Sequence, residues 1–425
     1  MPDQRTVPPN TCDIFCNVVD NYGDIGVTWR LARQLANEHG LAVRLWVDDL
    51  VSYAKLCPQA DANLDRQKQM GVEVCRWLQD FPLTQPADIV IAAFACKLPE
   101  SYIEAMAEPS SHSVWINLEY LSAEDWVQGC HGLPSPHPRL PLTKYFFFPG
   151  FTKLTGGLLI ERELLARRDA YCADPEAQSN FWRGLGMQRP EADTLKVSLF
   201  AYENAALHGL FDEWAQGAQK VLCLVPEGRI LPQVMAYFEA HSCSVKNANT
   251  VRAEPVEANS ESADLSLSSF DKLRTNGCWQ CGSLEVRVLP FVAQQDYDPL
   301  LWSCDINFVR GEDSCVRAQW AGKPFIWQIY PQHDAVHWEK LQAFLDLYAV
   351  GLDRAAESAM QALWKAWNDE ADAGAAWPSF AASQATFEAH AQDWSRLLAK
   401  NDLALNLLDF CQKAGRMRAL KIEGQ

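Results

Sequence analysis

The sequence predicts an α/β protein built as two doubly wound, Rossmann-like lobes that face a central cleft. Three observations carry this expectation. At 425 residues the chain exceeds the roughly 100 to 200 residues of an ordinary domain, so two cores are the natural division. Two separate series of short apolar runs alternate with amphipathic stretches, the pattern of parallel strands joined by helices. Between them lies a stretch first rich in Gly and Pro, then in charge, that breaks the rhythm.

The first series opens with CDIFCNVV from residue 12, a turn DNYGDIG, and the helix-like VTWRLARQLANEHG, which Gly40 ends. VRLWV at 43–47, VEVCRWL at 72–78, DIVIAAF at 88–94 and SVWINLEYL at 113–121 continue it as buried strands. KYFFFPGFTKLTGGLL at 144–159 and the charged ERELLARRDAY after it read as the connection between lobes. The second series places strands at 195–202, 220–226, 284–291, 304–309 and 323–330. Beyond residue 333 the pattern is helical, with a loop expected around Trp377, Pro378 and Ser379. The expected division is a first lobe at 1–160, a connection at 161–193, a second lobe at 194–355, and helices at 356–425 bracing both. Residues 246–277 are polar and poor in strand formers, and read as a flexible surface insertion in the second lobe.

Composition narrows the function. With 54 acidic against 37 basic residues the formal charge is −17, which repels a phosphate backbone, so nucleic acid is a poor partner and a cationic group such as an arginine side chain a better one. MPDQRTVPPNT at the start has no apolar stretch behind a basic end, and the apolar runs fall far short of the roughly 20 residues that cross a bilayer; a cytoplasmic protein is expected. The 14 Cys lie beside strand-like residues and read as reduced, buried thiols.

Parallel sheets bind ligands outside the carboxyl ends of their strands, and two loops there hold chemistry. The first contains Asp20, Asn21, Tyr22, Gly23 and Asp24. Asp24 sits where it can cap the helix, whereas Asp20 has no such structural use and reads as a catalytic carboxylate. The second contains Arg310, Gly311, Glu312, Asp313 and Ser314. Ser314 and the amides of the helix start suit phosphate oxygens, and Arg310 a diphosphate. Glu312 suits sugar hydroxyls, because a carboxylate accepts hydrogen bonds on both oxygens. Asp313 would repel a phosphate and reads as a cap; the plain alternative for the whole loop is a capped turn with an ion pair. Phe200, Tyr202, Phe291, Tyr297 and Tyr330 stand at or near other strand exits, where flat rings suit a base or a sugar face.

Other patterns carry less. Asp296 and Asp298 have metal-loop spacing but read as caps of the helix DPLLW. Cys278 and Cys281 lack a second pair at ligand spacing, and His333 and His337 lack the Glu of a zinc-protease motif. Neither a P-loop nor a GxGxxG is present.

NVVDNYGDIGVTWRLARQLA at 17–36 and LLWSCDINFVRGEDSCVRAQWAGKPFIWQIYPQ at 300–332 together resemble the bacterial protein-arginine rhamnosyltransferases that mature elongation factor P. The likeness covers nearly the whole chain except 246–277. It implies a GT-B fold, dTDP-β-L-rhamnose as donor, an arginine of elongation factor P as acceptor, inversion at the anomeric carbon, and neither metal nor cofactor. The product would be a factor active in rescuing ribosomes stalled at polyproline. The family's catalytic aspartate matches Asp20 and its companion Asp24, and its donor-side residues match Phe200, Tyr202, Phe291, Tyr297, Arg310, Glu312, Asp313, Ser314 and Tyr330, with Tyr297 standing where the family pattern has Phe. Glu312 is a further catalytic candidate, and Asn21, Tyr22 and Gly23 are further donor-binding candidates. Fold alone leaves open another nucleotide-sugar enzyme, an epimerase or a small-molecule glycosyltransferase, and also a non-catalytic module that binds a translation factor.

Overall fold

The computed structural model describes residues 9–19, 22–241, 243–246, 277–331, 336–369 and 371–423. Nearly all of the 246–277 segment, Asp20, Asn21 and His333 therefore lie outside the described residues. The chain divides into two compact units: unit 1 comprises residues 1–164, 331–348 and 395–425, and unit 2 residues 165–330 and 349–394. Both are discontinuous, so the last eighty or so residues belong partly to each, and the 165–193 stretch groups with unit 2.

Unit 1 runs β1 (Thr11–Cys16), α1 (Gly23–His39), β2 (Ala42–Val47), α2 (Leu50–Leu56), β3 (Arg66–Gln69), β4 (Val72–Arg76), β5 (Ile89–Ala93), α3 (Glu100–Met106), β6 (Val114–Leu118), α4 (Trp126–Cys130), β7 (Pro134–Pro136) and β8 (Thr143–Phe147). The sheet order is β3-β4-β2-β1-β5-β6-β8-β7. Its six inner strands are parallel and its two edge hairpins, β3–β4 and β7–β8, antiparallel. Strand alternation splits the core in two. Ile14, Cys16, Leu45, Val47, Ile89 and Ile91 face one cluster, with Trp29 and Leu35 of α1 and Leu407 and Cys411. Phe15, Trp46, Val90 and Ala92 face the other, with Tyr102 and Met106. Asp13 lies fully buried on the second face, where both its oxygens bind Arg44 at 2.6 Å and Trp46 and the Tyr102 hydroxyl also donate to it. α1 ends as expected at Gly40, whose φ of 72° is left-handed and whose N–H closes on the Leu35 carbonyl.

β8 corrects the sequence reading. Residues 143–147 are not part of a connection but a strand paired in parallel with β6. The aromatic run is strand, half-buried up to Phe146 and buried at Phe147, and the Gly-rich signal belongs only to residues 149–157.

Unit 2 runs α5 (Leu164–Ala173), α6 (Pro175–Gly184), β9 (Leu195–Leu199), α7 (Leu207–Gln216), β10 (Val221–Pro226), α8 (Leu231–Ala240), β11 (Ser244–Lys246), β12 (Cys278–Cys281), β13 (Leu284–Leu289), α9 (Gln294–Ser303), β14 (Ile306–Arg310), α10 (Gly311–Ala321) and β15 (Phe325–Gln328). Its sheet order is β11-β12-β13-β10-β9-β14-β15. β13, β10, β9, β14 and β15 are parallel, while β11 and β12 add antiparallel edges. Cys278 and Cys281 thus belong to a strand paired on both sides, by β11 and β13, and among the described residues no group of three His, Cys, Asp or Glu is placed to hold a metal ion.

The chain continues through α11 (Val336–Tyr348), α12 (Arg354–Asn368), α13 (Ala373–Ala382), α14 (Gln384–Leu398) and α15 (Leu403–Glu423). The loop expected around Trp377, Pro378 and Ser379 is instead the middle of α13. Proline there forgoes one helix hydrogen bond, but Trp377 packs edge-on to Trp214 with ring centroids 5.1 Å apart and Phe380 is buried beside it, so tertiary packing overrides the local signal. Among the described residues no helix is long and apolar enough to cross a membrane.

Candidate active site

In a parallel sheet the crevice opens where strand order reverses. In unit 2 that point lies between β9 and β14, since β10 and β14 flank β9 on opposite sides. The strand ends there carry most of the residues the sequence singled out. The Phe200 amide donates to the Phe308 carbonyl at 3.0 Å, and the Tyr202 amide to Gln328 Oε1 at 2.8 Å. Arg310, the last residue of β14 and buried, lays its guanidinium carbon 4.6 Å from the Phe200 ring centre and 4.5 Å from that of Tyr202. Tyr330 stands edge-on to Tyr202 at 5.5 Å, and Tyr297 edge-on to Phe200 at 5.9 Å. Four of the predicted aromatic residues thus form one bed around the predicted arginine.

The α10 start adds polar groups and corrects one expectation. Its N-cap is Arg310 and not Asp313, whose carboxylate accepts from Gln294 Nε2 at 3.2 Å. Gln294 therefore takes up a charge that would otherwise oppose an anion at the helix start. Ser314 Oγ donates to the Arg310 carbonyl and accepts from the Arg310 amide at 3.2 Å, which locks the turn in which Gly311 adopts a φ of 64°. Glu312, the second residue of α10, and Phe291, just past β13, are half-buried. Tyr297 is buried, which raises its hydroxyl pKa, and the neighbouring Asp313 charge raises it further; it serves as a neutral phenol. Asp296 is no cap either, because α9 starts at Gln294 after an Ala293 that makes no side-chain bond. Asp298 instead forms a buried, two-pronged ion pair with Arg317.

Sequence reasoning missed Gln328, Gln294 and the Glu203–Arg229 pair. The last has an N to O distance of 2.8 Å and sets a second guanidinium 5.4 Å from the Tyr202 ring centre. Burial pushes the Glu203 carboxyl up, but the Arg229 hydrogen bond, its own backbone amide and the Arg229 and Arg310 charges together hold the group below the usual range. The clue available was position: all four lie at strand exits or in the helices beside them.

In unit 1 the reversal lies between β1 and β5, flanking the loop that holds Asp20. Two carboxylates anchor the part of that loop before Asp20: Asp48 accepts from the Val18 amide at 2.9 Å, and Asp24 from the Val19 amide at 2.8 Å. Asp24 is 2% exposed and is not the N-cap of α1, which is Tyr22. Its second oxygen lies 3.4 Å from the Tyr120 hydroxyl, which donates to it. Gly23 opens α1, and with Asp24 forms its first turn.

Two parallel α/β units, each with its ligand crevice at a strand-order reversal, give the architecture of the GT-B class of glycosyltransferases. The family described as elongation-factor P (EF-P) rhamnosyltransferase EarP matches residues 12–412, and the chain belongs to it. A protein-arginine rhamnosyltransferase of Pseudomonas putida is 49% identical over 401 residues, covering 94% of this chain and 98% of the relative. One of Pseudomonas aeruginosa is 45% identical over the same shares, and one of Neisseria meningitidis 34% identical over 92% and 94%. A solved structure concerned with EarP-mediated arginine glycosylation of translation elongation factor EF-P is 37% identical, covers 95% of this chain and 99% of its own, and superposes with a TM-score of 0.62.

Proposed function

We propose that the chain transfers L-rhamnose from dTDP-β-L-rhamnose to an arginine side chain of elongation factor P, inverting the anomeric carbon. The observation that carries the donor half is the bed of Phe200, Tyr202, Tyr297, Arg310 and Tyr330 at the β9/β14 reversal. Rings there suit a thymine or sugar face, Arg310 suits the diphosphate, and the amides at the start of α10 add partial positive charge. Glu312 is the natural holder of sugar hydroxyls. Family membership supports the acceptor half.

The chemistry explains the need for carboxylates. A guanidinium is protonated at neutral pH and its nitrogen lone pairs are delocalised, so it is a weak nucleophile. As the acceptor nitrogen forms its bond to the anomeric carbon, the bond to the diphosphate oxygen breaks. The Asp20 carboxylate takes the nitrogen's proton, Asp24 holds the loop that presents Asp20, and Arg310 and the α10 amides stabilise the departing charge. No metal is assigned a part.

The test is intact-mass measurement of elongation factor P incubated with the protein and dTDP-β-L-rhamnose, alongside the Asp20→Asn variant. One added deoxyhexose, mapped to an arginine and absent with the variant although it still binds donor, is expected. Donor binding without any mass gain would overturn the acceptor assignment, and full transfer by the variant would remove Asp20 from the mechanism.

A further inference from the structure

The residues after β5 hold a conformation that their types disfavour. Phe94 and Ala95 have φ values of 55° and 56°, and the Cys96 amide closes on the Ala93 carbonyl at 3.1 Å. Two successive left-handed residues across a four-residue turn are normally Asn or Gly. For a phenylalanine and an alanine the conformation is strained, and such strain persists only where the surroundings impose it.

What the turn achieves is the placement of one ring. Phe94 stacks on Tyr120, just past β6, with centroids 4.5 Å apart and planes 19° from parallel. The Phe94 amide donates to the Leu118 carbonyl at 2.7 Å, and the Glu119 amide to the Phe147 carbonyl at 2.9 Å, so both ends of the stack are tied to the sheet. Tyr120 remains 41% exposed, and its hydroxyl reaches the Asp24 carboxylate. Phe94 covers one face of the ring. A cation lies over the ring as well: Lys340 Nζ is 5.8 Å from its centre. The ring is thus rigid, backed by a second ring, linked to a carboxylate of the Asp20 loop, and already beside a positive charge.

Resting on the rhamnosyltransferase reading, we propose that Tyr120 is the seat of the acceptor arginine: the incoming guanidinium plane lies on the Tyr120 face turned from Phe94, replacing the Lys340 ammonium. A guanidinium is planar and less strongly hydrated than an ammonium, so it gains more from an aromatic face and displaces lysine there. Tyr120 in this role is a positioning and specificity residue. It favours arginine over lysine in the acceptor, while bond making remains with the carboxylates.

The experiment is steady-state transfer to elongation factor P by wild type, Tyr120→Phe, Tyr120→Leu and Lys340→Met, with KM for acceptor and donor measured separately. Tyr120→Phe keeps the face and is expected within about threefold of wild type, whereas Tyr120→Leu should raise the acceptor KM about tenfold and leave the donor KM alone. Lys340→Met removes the competing cation and should lower the acceptor KM, an effect that loss of mere structural support would not produce. An unchanged acceptor KM for Tyr120→Leu, or a raised one for Lys340→Met, would overturn the proposal. Should Tyr120→Leu fail to fold, shown by lost donor binding, the Lys340→Met result decides alone. If wild type transfers nothing to elongation factor P, the functional reading itself fails and this proposal falls with it; transfer by wild type with no KM split overturns this proposal only.

Discussion

Single residues in this protein are defined by what they face. Arg310 is a strand residue by position but a ligand residue by surroundings, because its guanidinium rests against two rings at a strand exit. Charge-assisted bonds to a diphosphate are worth about 1.5–3 kcal/mol, so Arg310→Ala should weaken dTDP binding about tenfold or more by calorimetry and slow transfer accordingly. Unaltered binding would place the diphosphate elsewhere. Asp402 shows the same dependence on surroundings in a structural role. Burial raises its carboxyl above the usual range, and Glu38 adds to the rise against the lowering effects of the Ala404 and Leu405 amides and of His39. With a folded pKa above the unfolded one, the native state holds the extra proton, so this group favours folding most below its ordinary pKa, and the advantage disappears as pH rises through the raised value. Urea unfolding of wild type and Asp402→Asn across pH 4 to 7 should show wild type gaining on the variant toward acid; a pH-independent difference would rule out that account.

At the scale of elements, helix starts and tight approaches decide geometry that composition leaves open. Asp24, Asp296 and Asp313 all sit where a cap was expected, yet the N-cap residues are Tyr22, Ala293 and Arg310. Asp49, Asp174, Asp353 and Asp372 do cap, accepting from amides two or three residues on. Asp24 and Asp313 instead accept from groups outside the cap position, the Val19 amide and Gln294, and Asp296 is exposed inside α9. The Gly-rich stretch after β8 has a different reason. Gly157 has a φ of 81°, and a Cβ there would lie 2.2 Å from the Asn401 carbonyl oxygen, which also accepts the Leu158 amide at 3.1 Å. Gly157→Ala should therefore lose about 2–4 kcal/mol in denaturant unfolding, from combined strain and clash. A loss below about 0.5 kcal/mol would mean that the backbone relaxes there freely.

For the whole molecule the chain's order and its cores do not coincide. Leu403, Ala404, Leu407, Leu408, Cys411 and Ala414 belong to the core of unit 1, more than two hundred residues from the strands they cover. A chain ended after residue 394 should uncover that sheet face and lose the near-ultraviolet signal and protease resistance of unit 1, with unit 2 peptides staying protected. Equal protection of unit 1 in the shortened chain would show that α15 is dispensable. The sequence by itself determined the alternation of strands and helices, the two series, the helix end at Gly40, and the two loops of polar and aromatic residues, because each is a local pattern written in period and turn chemistry. Only the tertiary structure decided that β8 joins the first sheet, that α13 runs through Pro378, and that the final helices are divided between two cores. It alone brought Phe94, Tyr120 and Lys340 together, since nothing in the spacing of residues 94, 120 and 340 connects them. Their meeting depends on strand order and on where a distant helix packs, and those are fixed by burial across the whole chain.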